Sequence, residues 1–416
     1  MSTLDQAVAD ARERYGTAHP ESAVLHERAR AVMPGGNTRS VLDFAPFPFR
    51  VQSAAGASLV DVDGHAYVDF CGNYTAGLLG LRPELVRAAV VAALDEGFAI
   101  GATHPREIEL AELVCDRFAS IDQVRFTNSG TEANLMAIGT ALHHTGRTGV
   151  GVFDGAYHGG VLSFGGHDHL NVPHRFLVAP FDDLAGLDDL FDDDDLGCVV
   201  VEAVQGAGGC RPASDEFLAE LRRRCTASGA LLILDEVMTS RLASGGAQEL
   251  YGITPDLTTL GKYLGGGMSF GAFGGRADVM AAFDPESGGQ LTQAGTFNNN
   301  VVSMAAAIAT VRHGLDPQRL AATNDRGDRF RAELGSIFAD ADLPLWVTGR
   351  GSMLNVHADD DRWLELYFHE MLAHGHYVAR RGFIALSMEI TDEHVDHLLR
   401  DTRTWATRMA SVDGPS

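Results

Sequence analysis

The sequence predicts an α/β fold, in which a mostly parallel central sheet is covered by helices on both faces. From about residue 105 to residue 275, short apolar runs alternate with runs of helical periodicity. This alternation is typical of strand–helix–strand units, whose parallel strands are buried on both sides. The chain has 416 residues, which is too long for one compact core, so we expect more than one domain.

We expect a large domain over residues 70–310 and a smaller α+β domain built from both chain ends, residues 1–69 and 311–416. The first forty residues read as helical and then as a loop, because Pro34-Gly35-Gly36 is a strong turn signal. The segment that follows, FRVQSAAGASLVDVDGHAYVDF, predicts two alternating strands joined in a hairpin through Asp63-Gly64. Near the C-terminus, TDEHVDHLLRDTRTWATRM predicts a helix.

Within the alternating region, QVRFTNSG leads into TEANLMAIGTALHHTG, and TGVGVF leads into DGAYHGG. The run CVVVEAVQG leads into a helix at 214–228 and then into ALLILDEV. That helix has the clearest signals: Ser214 can cap it, acidic residues occupy its first turn, arginines lie late in it, and Gly229 ends it.

One acidic run interrupts the pattern, FDDLAGLDDLFDDDD at 181–195, which holds eight Asp. Its Leu184, Leu187, Leu190 and Phe191 recur at helical spacing. The run therefore predicts a short acidic helix at the surface, with a metal site as the alternative.

Composition excludes several classes of partner. Lys and Arg number 32 against 56 Asp and Glu, a formal net charge of −24, which argues against a nucleic acid or an anionic membrane. No window approaches eighteen apolar residues, and the first twenty residues lack the apolar core of a secretory signal. The five cysteines show no CxxC spacing, so we expect neither a disulfide framework nor a metal site, and we expect the cytoplasm.

Ligands of open α/β sheets bind beyond the carboxyl ends of the strands, so the residues after each apolar run matter most. After QVRFT come Asn128, Ser129, Gly130 and Thr131, which open a helix. Free N–H groups and two hydroxyls at a helix N-terminus suit a phosphate, although Ser and Thr also serve as ordinary caps.

Three further positions follow strands. Tyr157 lies on a glycine-flanked turn after GVGVF, where an aromatic ring can contact a flat ligand or simply fill space. Glu202 follows CVVV, and Asp235 follows LLIL 33 residues later, so one strand–helix–strand unit brings both carboxylates to the same sheet edge. A buried Asp235 needs a cationic partner; this is either a protonated ring nitrogen of a ligand or an arginine such as Arg241, and helix capping is a further alternative.

Lys262 is the only charged residue in TTLGKYLGGGMSFGAFGG. Apolar neighbours leave its amine poorly hydrated, which favours the neutral, nucleophilic form. The glycines allow tight turns and close approach to a ligand. A solvated surface lysine is the alternative, but it fits poorly in a stretch without another charge.

A phosphate cradle, a stacking aromatic ring, a carboxylate for a pyridinium nitrogen and a Schiff-base lysine are together the requirement of pyridoxal 5′-phosphate (PLP). With the motifs NSGTEANLMAI, DGAYHG, ILDEVMTSR, TTLGKYLGGGMSFGAFGG and AGTFNNN, the sequence resembles the class III (subgroup II) aminotransferases of PLP fold type I. The resemblance runs from roughly residue 30 to residue 390.

The resemblance implies a role for each matching residue. Tyr157 stacks on the cofactor ring and Val237 packs on its other face, while Asp235 pairs with the ring nitrogen and Lys262 binds the cofactor covalently. Ser129, Gly130 and Thr131 hold the cofactor phosphate. Thr296 reaches the phosphate of the neighbouring subunit, which implies a homodimer. Glu202 lies near the cofactor hydroxyl.

Two branches of the family are most similar, the β-amino-acid aminotransferases and glutamate-1-semialdehyde aminomutase. MPGGNTRSVLDFAPFPF and FNNN resemble the first branch, in which Arg39 would bind the substrate carboxylate and Arg380 or Arg381 would offer a second clamp. The implied reaction is ping-pong transfer of an amino group, via pyridoxamine phosphate, from an aromatic or aliphatic β-amino acid to an α-keto acid such as 2-oxoglutarate or pyruvate.

Two other functions stay open at this point. An aminomutase would retain its amino group, and Asn298-Asn299-Asn300 stands where the aminomutase pattern usually has Gly-Asn-Pro. A non-catalytic PLP-fold protein that binds a partner or a ligand is the second alternative, and the presence of both Asp235 and Lys262 argues against it.

Overall fold

The computed structural model describes residues 3–166 and 169–410. The chain divides into two compact units, a small unit of Met1–Pro83 with Thr323–Ser416 and a large unit of Glu84–Ala322. Both boundaries lie later along the chain than the expected 69/70 and 310/311. Residues after 69 still bond within the small unit, since the Met388 N–H donates to the Leu78 carbonyl at 2.7 Å. In the large unit, the π-helical turn Thr310–Gly314 continues directly from the helix before it.

The described α-helices are α1 (Thr3–Ala18), α2 (Pro20–Arg30), α3 (Glu84–Glu96), α4 (Pro105–Arg117), α5 (Gly130–Thr145), α6 (Gly186–Phe191), α7 (Asp215–Ser228), α8 (Ala247–Tyr251), α9 (Ala277–Met280), α10 (Val301–Ala309), α11 (Pro317–Asp340), α12 (Asp361–Ala373) and α13 (Asp392–Met409).

The described strands are β1 (Val51–Ala55), β2 (Ser58–Asp61), β3 (Ala66–Asp69), β4 (Gln123–Thr127), β5 (Gly149–Phe153), β6 (Tyr157–Gly159), β7 (Leu162–Ser163), β8 (Arg175–Ala179), β9 (Leu196–Val201), β10 (Val204–Gln205), β11 (Arg211–Pro212), β12 (Leu231–Asp235), β13 (Leu257–Gly261), β14 (Gly271–Gly275), β15 (Leu345–Arg350), β16 (Met353–Ala358), β17 (His376–Tyr377) and β18 (Phe383–Ala385).

The large unit is built on a seven-stranded sheet in the order β4-β14-β13-β12-β9-β5-β8. β13, β12, β9, β5 and β8 are mutually parallel, whereas β14 is antiparallel to both β13 and β4. β4 therefore runs in the same direction as the parallel strands. This confirms the predicted α/β fold with a mostly parallel sheet, and the carboxyl ends of β4, β9, β12 and β13 share one edge.

β14 corrects the interpretation of the glycine-rich stretch. We expected its glycines to serve turns and ligand approach, but Gly271, Gly274 and Gly275 lie in a fully buried strand. A Cβ on Gly271 would lie 2.2 Å from the Ser129 carbonyl oxygen, and one on Gly275 would lie 2.1 Å from the Asp256 carbonyl oxygen. These glycines are therefore required by close backbone packing.

The small unit contains a four-stranded sheet in the order β1-β2-β3-β17 and a three-stranded sheet in the order β15-β16-β18. The hairpin through Asp63-Gly64 is confirmed, because β2 and β3 pair antiparallel around it. The segment before it is not a single strand, however. It turns at Gly56, which has a φ of 56°, and forms a second hairpin between β1 and β2.

The predicted terminal and central helices are present. α7 is capped by the Ser214 hydroxyl, which accepts from the Phe217 N–H, and it ends at Gly229 in the left-handed conformation. α6 is shorter than the acidic run, with Leu187 and Leu190 buried and Leu184 outside the helix. Among the described helices, none is both long and apolar enough to cross a membrane.

Candidate active site

The predicted site residues meet at the carboxyl edge of the large sheet. β9 and β12 are parallel, with Val201 beside Leu234, so Glu202 and Asp235 follow at the same level. Lys262 comes directly after Gly261, the last residue of β13. The turn after β4 leads to Gly130 at the start of α5. The topology thus explains why Gly130 and Lys262, which are 132 positions apart in sequence, share one location.

A cavity of about 180 Å³ lies at this edge. Clefts of about 770 and 890 Å³ also occur on the large unit, but they contain none of the predicted site residues. The small cavity gathers most of them, and its lining consists of Gly130, Thr131, Asn134, Tyr157, His158, Gly159, Glu202, Asp235, Val237, Met238 and Lys262.

Asp235 is the most heavily hydrogen-bonded group of the cavity. Its Oδ2 accepts from Nδ1 of His158 at 2.8 Å and from Nδ2 of Asn134 at 2.9 Å, and its Oδ1 accepts from the Val237 N–H at 3.0 Å. Asn134 is itself oriented, because its Oδ1 accepts from the Thr259 hydroxyl at 2.8 Å. The charged partner that contacts Asp235 directly in the structure is His158.

The His158–Asp235 pair favours the ionised carboxylate. Burial alone would raise the pKa of Asp235, but the hydrogen bond and the charge of His158 outweigh it and hold that pKa below its ordinary value. Burial also acts to lower the pKa of His158, yet the bond to Asp235 raises it above its ordinary value. Asp235 can therefore stay negative although it is fully enclosed.

Glu202 differs from Asp235 in its protonation. Its Oε1 accepts from the Gly206 N–H at 3.0 Å, and its Oε2 accepts from the Tyr157 N–H at 3.2 Å. Burial raises the pKa of Glu202 to about 7, and the nearby charge of Asp235 acts in the same direction. The cavity thus pairs one firmly ionised carboxylate with one that exchanges a proton near neutral pH.

The N-terminus of α5 forms one wall of the cavity. The Ser129 hydroxyl accepts from the Glu132 N–H at 3.2 Å, so it is an N-cap, as the alternative interpretation predicted, and it does not line the cavity. Gly130 packs against Val237, because a Cβ there would lie 2.9 Å from the valine methyl groups. Thr131 lies similarly close to Gly159.

Lys262 has a backbone φ of 51°, in the left-handed region that a residue with a long side chain rarely adopts. It connects β13 to a short 3-10 turn, Lys262–Gly265. Asp235 feels its charge, because Lys262 contributes to lowering the pKa of that carboxyl. The amine of Lys262 and the carboxylate of Asp235 therefore act within the same cavity.

The chemistry of this donor set fits PLP. A helix N-terminus with free N–H groups suits a phosphate, an ionised buried carboxylate suits a protonated pyridine nitrogen, and a lysine amine suits an aldehyde. The partly exposed ring of Tyr157 and the side chain of Val237 both line the cavity.

Four residues of the cavity escaped the sequence analysis, namely Asn134, His158, Gly159 and Met238. His158 directly follows Tyr157 in DGAYHGG, and Asn134 lies one turn beyond Gly130 on α5. Helical spacing from Gly130 could have identified Asn134. No local pattern shows that His158 turns toward Asp235, because that contact joins β6 to the end of β12.

Thr296 does not line the cavity. It lies in an exposed segment that also contains Phe297, of which 64% is exposed. This segment is anchored by Asn298, whose Oδ1 accepts from Nδ2 of Asn128 at 2.9 Å.

The three predicted arginines, Arg39, Arg380 and Arg381, belong to the small unit. Their contacts divide them into two groups. Nη1 of Arg39 donates to Asn73 Oδ1 at 2.8 Å, and the guanidinium lies 5.7 Å from the centre of the Tyr74 ring. Arg381 lies over the same ring at 5.0 Å. Arg380 instead pairs with Glu365 at 3.3 Å and with Asp361 at 3.7 Å. Arg39 and Arg381 therefore both contact one aromatic ring, whereas Arg380 is neutralised by carboxylates.

Comparison with known proteins gives a consistent result. The family model described as aminotransferase class-III matches residues 43–403. A β-phenylalanine transaminase of Variovorax paradoxus is 46% identical over 95% of this chain and 94% of its own. The crystal structure of a β-phenylalanine aminotransferase from that organism superposes with a TM-score of 0.96 at 44% identity and covers 98% of both chains. A solved transaminase with PLP bound has a TM-score of 0.89 at 32% identity and covers 95% of this chain and 99% of its own.

With the fold, the cavity and these similarities in agreement, the chain belongs to the class III aminotransferases, the PLP-dependent transaminases of fold type I.

Proposed function

We propose that this aminotransferase takes its amino group from a β-amino acid, aromatic members included, and passes it to an α-keto acid such as 2-oxoglutarate or pyruvate. The observation that carries the proposal is that the guanidinium groups of Arg39 and Arg381 both lie over the ring of Tyr74. The similarity to a β-phenylalanine transaminase supports the same substrate class.

Two arginines suit two kinds of carboxylate. A β-amino acid carries its carboxylate one carbon farther from the amine than an α-amino acid does, so the two substrates of the reaction need different clamps. A guanidinium binds a carboxylate in a bidentate way that an ammonium cannot copy. We assign the β-carboxylate to Arg39 and the α-carboxylate to Arg381, because Arg380 already has two carboxylate partners.

The backbone near these arginines supports a binding role. Asn73, Tyr74 and Thr75 have φ values of 46°, 53° and 78°, three consecutive non-glycine residues in the left-handed region. Such conformations are held only where the surrounding structure enforces them, and they cluster at ligand sites. The Tyr74 hydroxyl is fixed by donating to the Val41 carbonyl at 3.0 Å.

When bound, PLP supplies an aldehyde that condenses with amines and a ring that accepts an electron pair from the substrate carbon. Lys262 would hold the aldehyde, and its released amine would take the proton from the substrate's amine-bearing carbon as general base and deliver it to the former aldehyde carbon of the cofactor as general acid. Asp235 keeps the ring nitrogen protonated. Gly130 and Thr131 hold the phosphate with the α5 N-terminus and Ser129, while Tyr157 and Val237 enclose the ring and Glu202 faces its hydroxyl.

The test is the first half-reaction with three classes of amino donor: β-phenylalanine, aliphatic β-amino acids and simple amines without a carboxylate. The loss of cofactor absorbance is followed in wild type and in Arg39→Ala, Arg39→Lys, Arg381→Lys and Arg380→Lys. Lys262→Ala, which lacks the reacting amine, is the inactive control. We expect Arg39→Ala to lose about a hundredfold in kcat/KM for β-amino acids, the equivalent of a charged hydrogen bond of about 3 kcal/mol, and little for simple amines.

The neighbouring arginines form a matched pair for the second half-reaction. Arg381→Lys should slow the reaction with the α-keto acid, while Arg380→Lys should leave the rate of that reaction unchanged. An equal loss for every donor would show that Arg39 is structural. Wild-type enzyme that reacts with no β-amino acid would remove the substrate proposal, and isomerisation of an amino substrate without an acceptor would favour the aminomutase.

We further propose that the working unit is a homodimer in which Thr296 reaches the partner's cofactor phosphate. Its support is the exposure of Thr296 and Phe297 outside the cavity. Phe98, of which 59% is exposed, adjoins this segment, because Nδ2 of Asn300 donates to its carbonyl at 3.1 Å. Two exposed phenylalanines on segments that are bonded to each other are typical of a surface that another chain covers.

For the cell compartment we propose the cytoplasm. All five cysteines are free thiols, and four of them are buried, which suits a reducing environment. Fractionation of the producing cells, with aminotransferase activity as the marker, would test this, and activity outside the cytoplasmic fraction would contradict it.

A further inference from the structure

The small unit contains a cluster of two histidines and an aspartate. His19, Asp61 and His65 each place one ligand atom within 4.8 Å of the other two. Asp61 ends β2 and is fully buried, His65 follows it in the hairpin turn, and His19 lies immediately before α2. Two segments about forty residues apart in sequence thus bring the three side chains together.

The distances within the cluster suit one small cation. Asp61 Oδ2 lies 3.4 Å from Nε2 of His19 and 3.0 Å from Nδ1 of His65. Tetrahedral zinc with bonds of about 2.0–2.2 Å separates its ligand atoms by roughly 3.3 Å. A cation could therefore bind between these atoms with small side-chain adjustments.

A hydrogen bond already sets the tautomer that a ligand histidine needs. Nδ1 of His19 lies 2.7 Å from the Tyr15 carbonyl oxygen, which can only accept, so Nδ1 carries the hydrogen. In neutral His19 the lone pair is then on Nε2, on the side of Asp61. Histidines that bind metals are typically fixed by such a bond from their other ring nitrogen.

Tyr67 provides an independent argument from the count of protons. Its hydroxyl oxygen lies 2.8 Å from Nε2 of His19 and 2.9 Å from Asp61 Oδ2. A hydroxyl has one hydrogen, so with neutral His19 only one of the two contacts is a hydrogen bond. The other contact brings two electron-rich atoms together and requires either a further proton, on His19 or on Asp61, or a bound metal ion.

The cluster is also accessible. The side chain of His65 is 39% exposed, and a cavity of about 380 Å³ is lined by His19, His65, Tyr15 and Tyr67. Arg14 lines the same cavity, but Glu370 holds its guanidinium at 2.9 Å. An ion can therefore reach the cluster without displacing a cation from Asp61.

We propose that His19, Asp61 and His65 bind one divalent transition-metal cation, Zn²⁺ in particular, with the Tyr67 oxygen or water as the fourth ligand. Two imidazoles and one carboxylate are a zinc donor set. The cysteines, on which our expectation of no metal site depended, are not involved. The ion would join the β2–β3 hairpin to the start of α2 and would stabilise the small unit.

The test uses holoenzyme without a polyhistidine tag, stripped with a chelator and titrated at pH 8, where an ordinary histidine is neutral. Co²⁺ serves as the spectroscopic probe, and we expect one equivalent per chain with the visible bands of tetrahedral cobalt, displaced by Zn²⁺. Zn²⁺ should also raise the Tm. In His65→Ala, the affinity should fall at least about tenfold and the rise in Tm should vanish.

His397→Ala is the matched control, because His397 is an exposed histidine with one carboxylate, Glu393, at 3.9 Å. It should bind Co²⁺ as wild type does. His65→Asn is the second variant if the alanine variant is poorly folded by circular dichroism. Wild type without tetrahedral bands, or affinity unchanged in both His65 variants, would overturn the proposal and assign the contacts of Tyr67 to a proton on His19 or on Asp61.

Discussion

At the scale of single residues, the cavity gives different pKa values to two buried carboxyl groups, those of Asp235 and Glu202. His158 and Asn134 stabilise the charge on Asp235, whereas Glu202 receives only backbone N–H groups and has a pKa of about 7. Groups whose environments set their pKa values apart divide acid and base roles between them. His158 is therefore a positioning residue that acts through Asp235.

The variant His158→Asn should lower kcat about tenfold to a hundredfold, the equivalent of one charge-assisted hydrogen bond of about 1.5–3 kcal/mol. Because the pKa of Asp235 should rise once its partner is neutral, the acidic limb of the kcat–pH profile should move to higher pH. His174→Asn, at an exposed histidine of the same unit, is the control. An unchanged acidic limb in His158→Asn would contradict the positioning role.

Residue types were predictable from the sequence where they follow a strand, as Glu202, Asp235 and Lys262 do. What the sequence could not reveal are contacts between such positions, of which His158 to Asp235 is the clearest. The choice between Arg380 and Arg381 was equally hidden, since it depends on Glu365, fifteen residues earlier on α12.

At the scale of elements, β14 lies between β13, which leads to Lys262, and β4, which leads to α5. Periodicity could not predict this strand, because four of its five residues are not strong strand formers and three are glycine. The apolar strands β5, β9 and β12 were predicted because complete burial requires a continuous apolar run. β14 escaped prediction because its sequence is dictated by the close approach of neighbouring backbone, which only glycine permits.

Gly271→Ala should therefore disturb the cavity by displacing the turn that leads from β4 into α5. Its Cβ would lie 2.2 Å from the Ser129 carbonyl oxygen and 2.4 Å from the Thr127 hydroxyl, so the turn into α5 must move. We expect a destabilisation of about 1–3 kcal/mol and weaker cofactor binding, measured by thermal unfolding and by absorbance titration. Gly139→Ala, in open space on α5, should be neutral or stabilising, and equal behaviour of the two variants would refute the packing argument.

At the scale of the whole molecule, the exposed segment around Phe297 and Phe98 predicts a dimer. Phe297→Glu should raise the dimer dissociation constant by at least about tenfold, because a carboxylate in an apolar interface loses its hydration without a partner. Analytical ultracentrifugation with and without added PLP measures this. Val24→Glu, at an equally exposed apolar residue of the small unit, should leave the dimer intact, and a fully active wild-type monomer would rule out the shared site.

The strand order of the large sheet also has a consequence for synthesis on the ribosome. β4 has β14 as its neighbour in the sheet, so residues 123–127 can form their strand pairing only after residues 271–275 have been synthesised. β5, β8, β9 and β12 can assemble earlier, since they pair with one another. Domains generally fold as units during synthesis, so we expect β4 to complete its pairing only after residues 271–275 have left the exit tunnel. A nascent chain that ends between Lys262 and Gly271 holds every side chain of the cavity but lacks β14, the strand that pairs with β4.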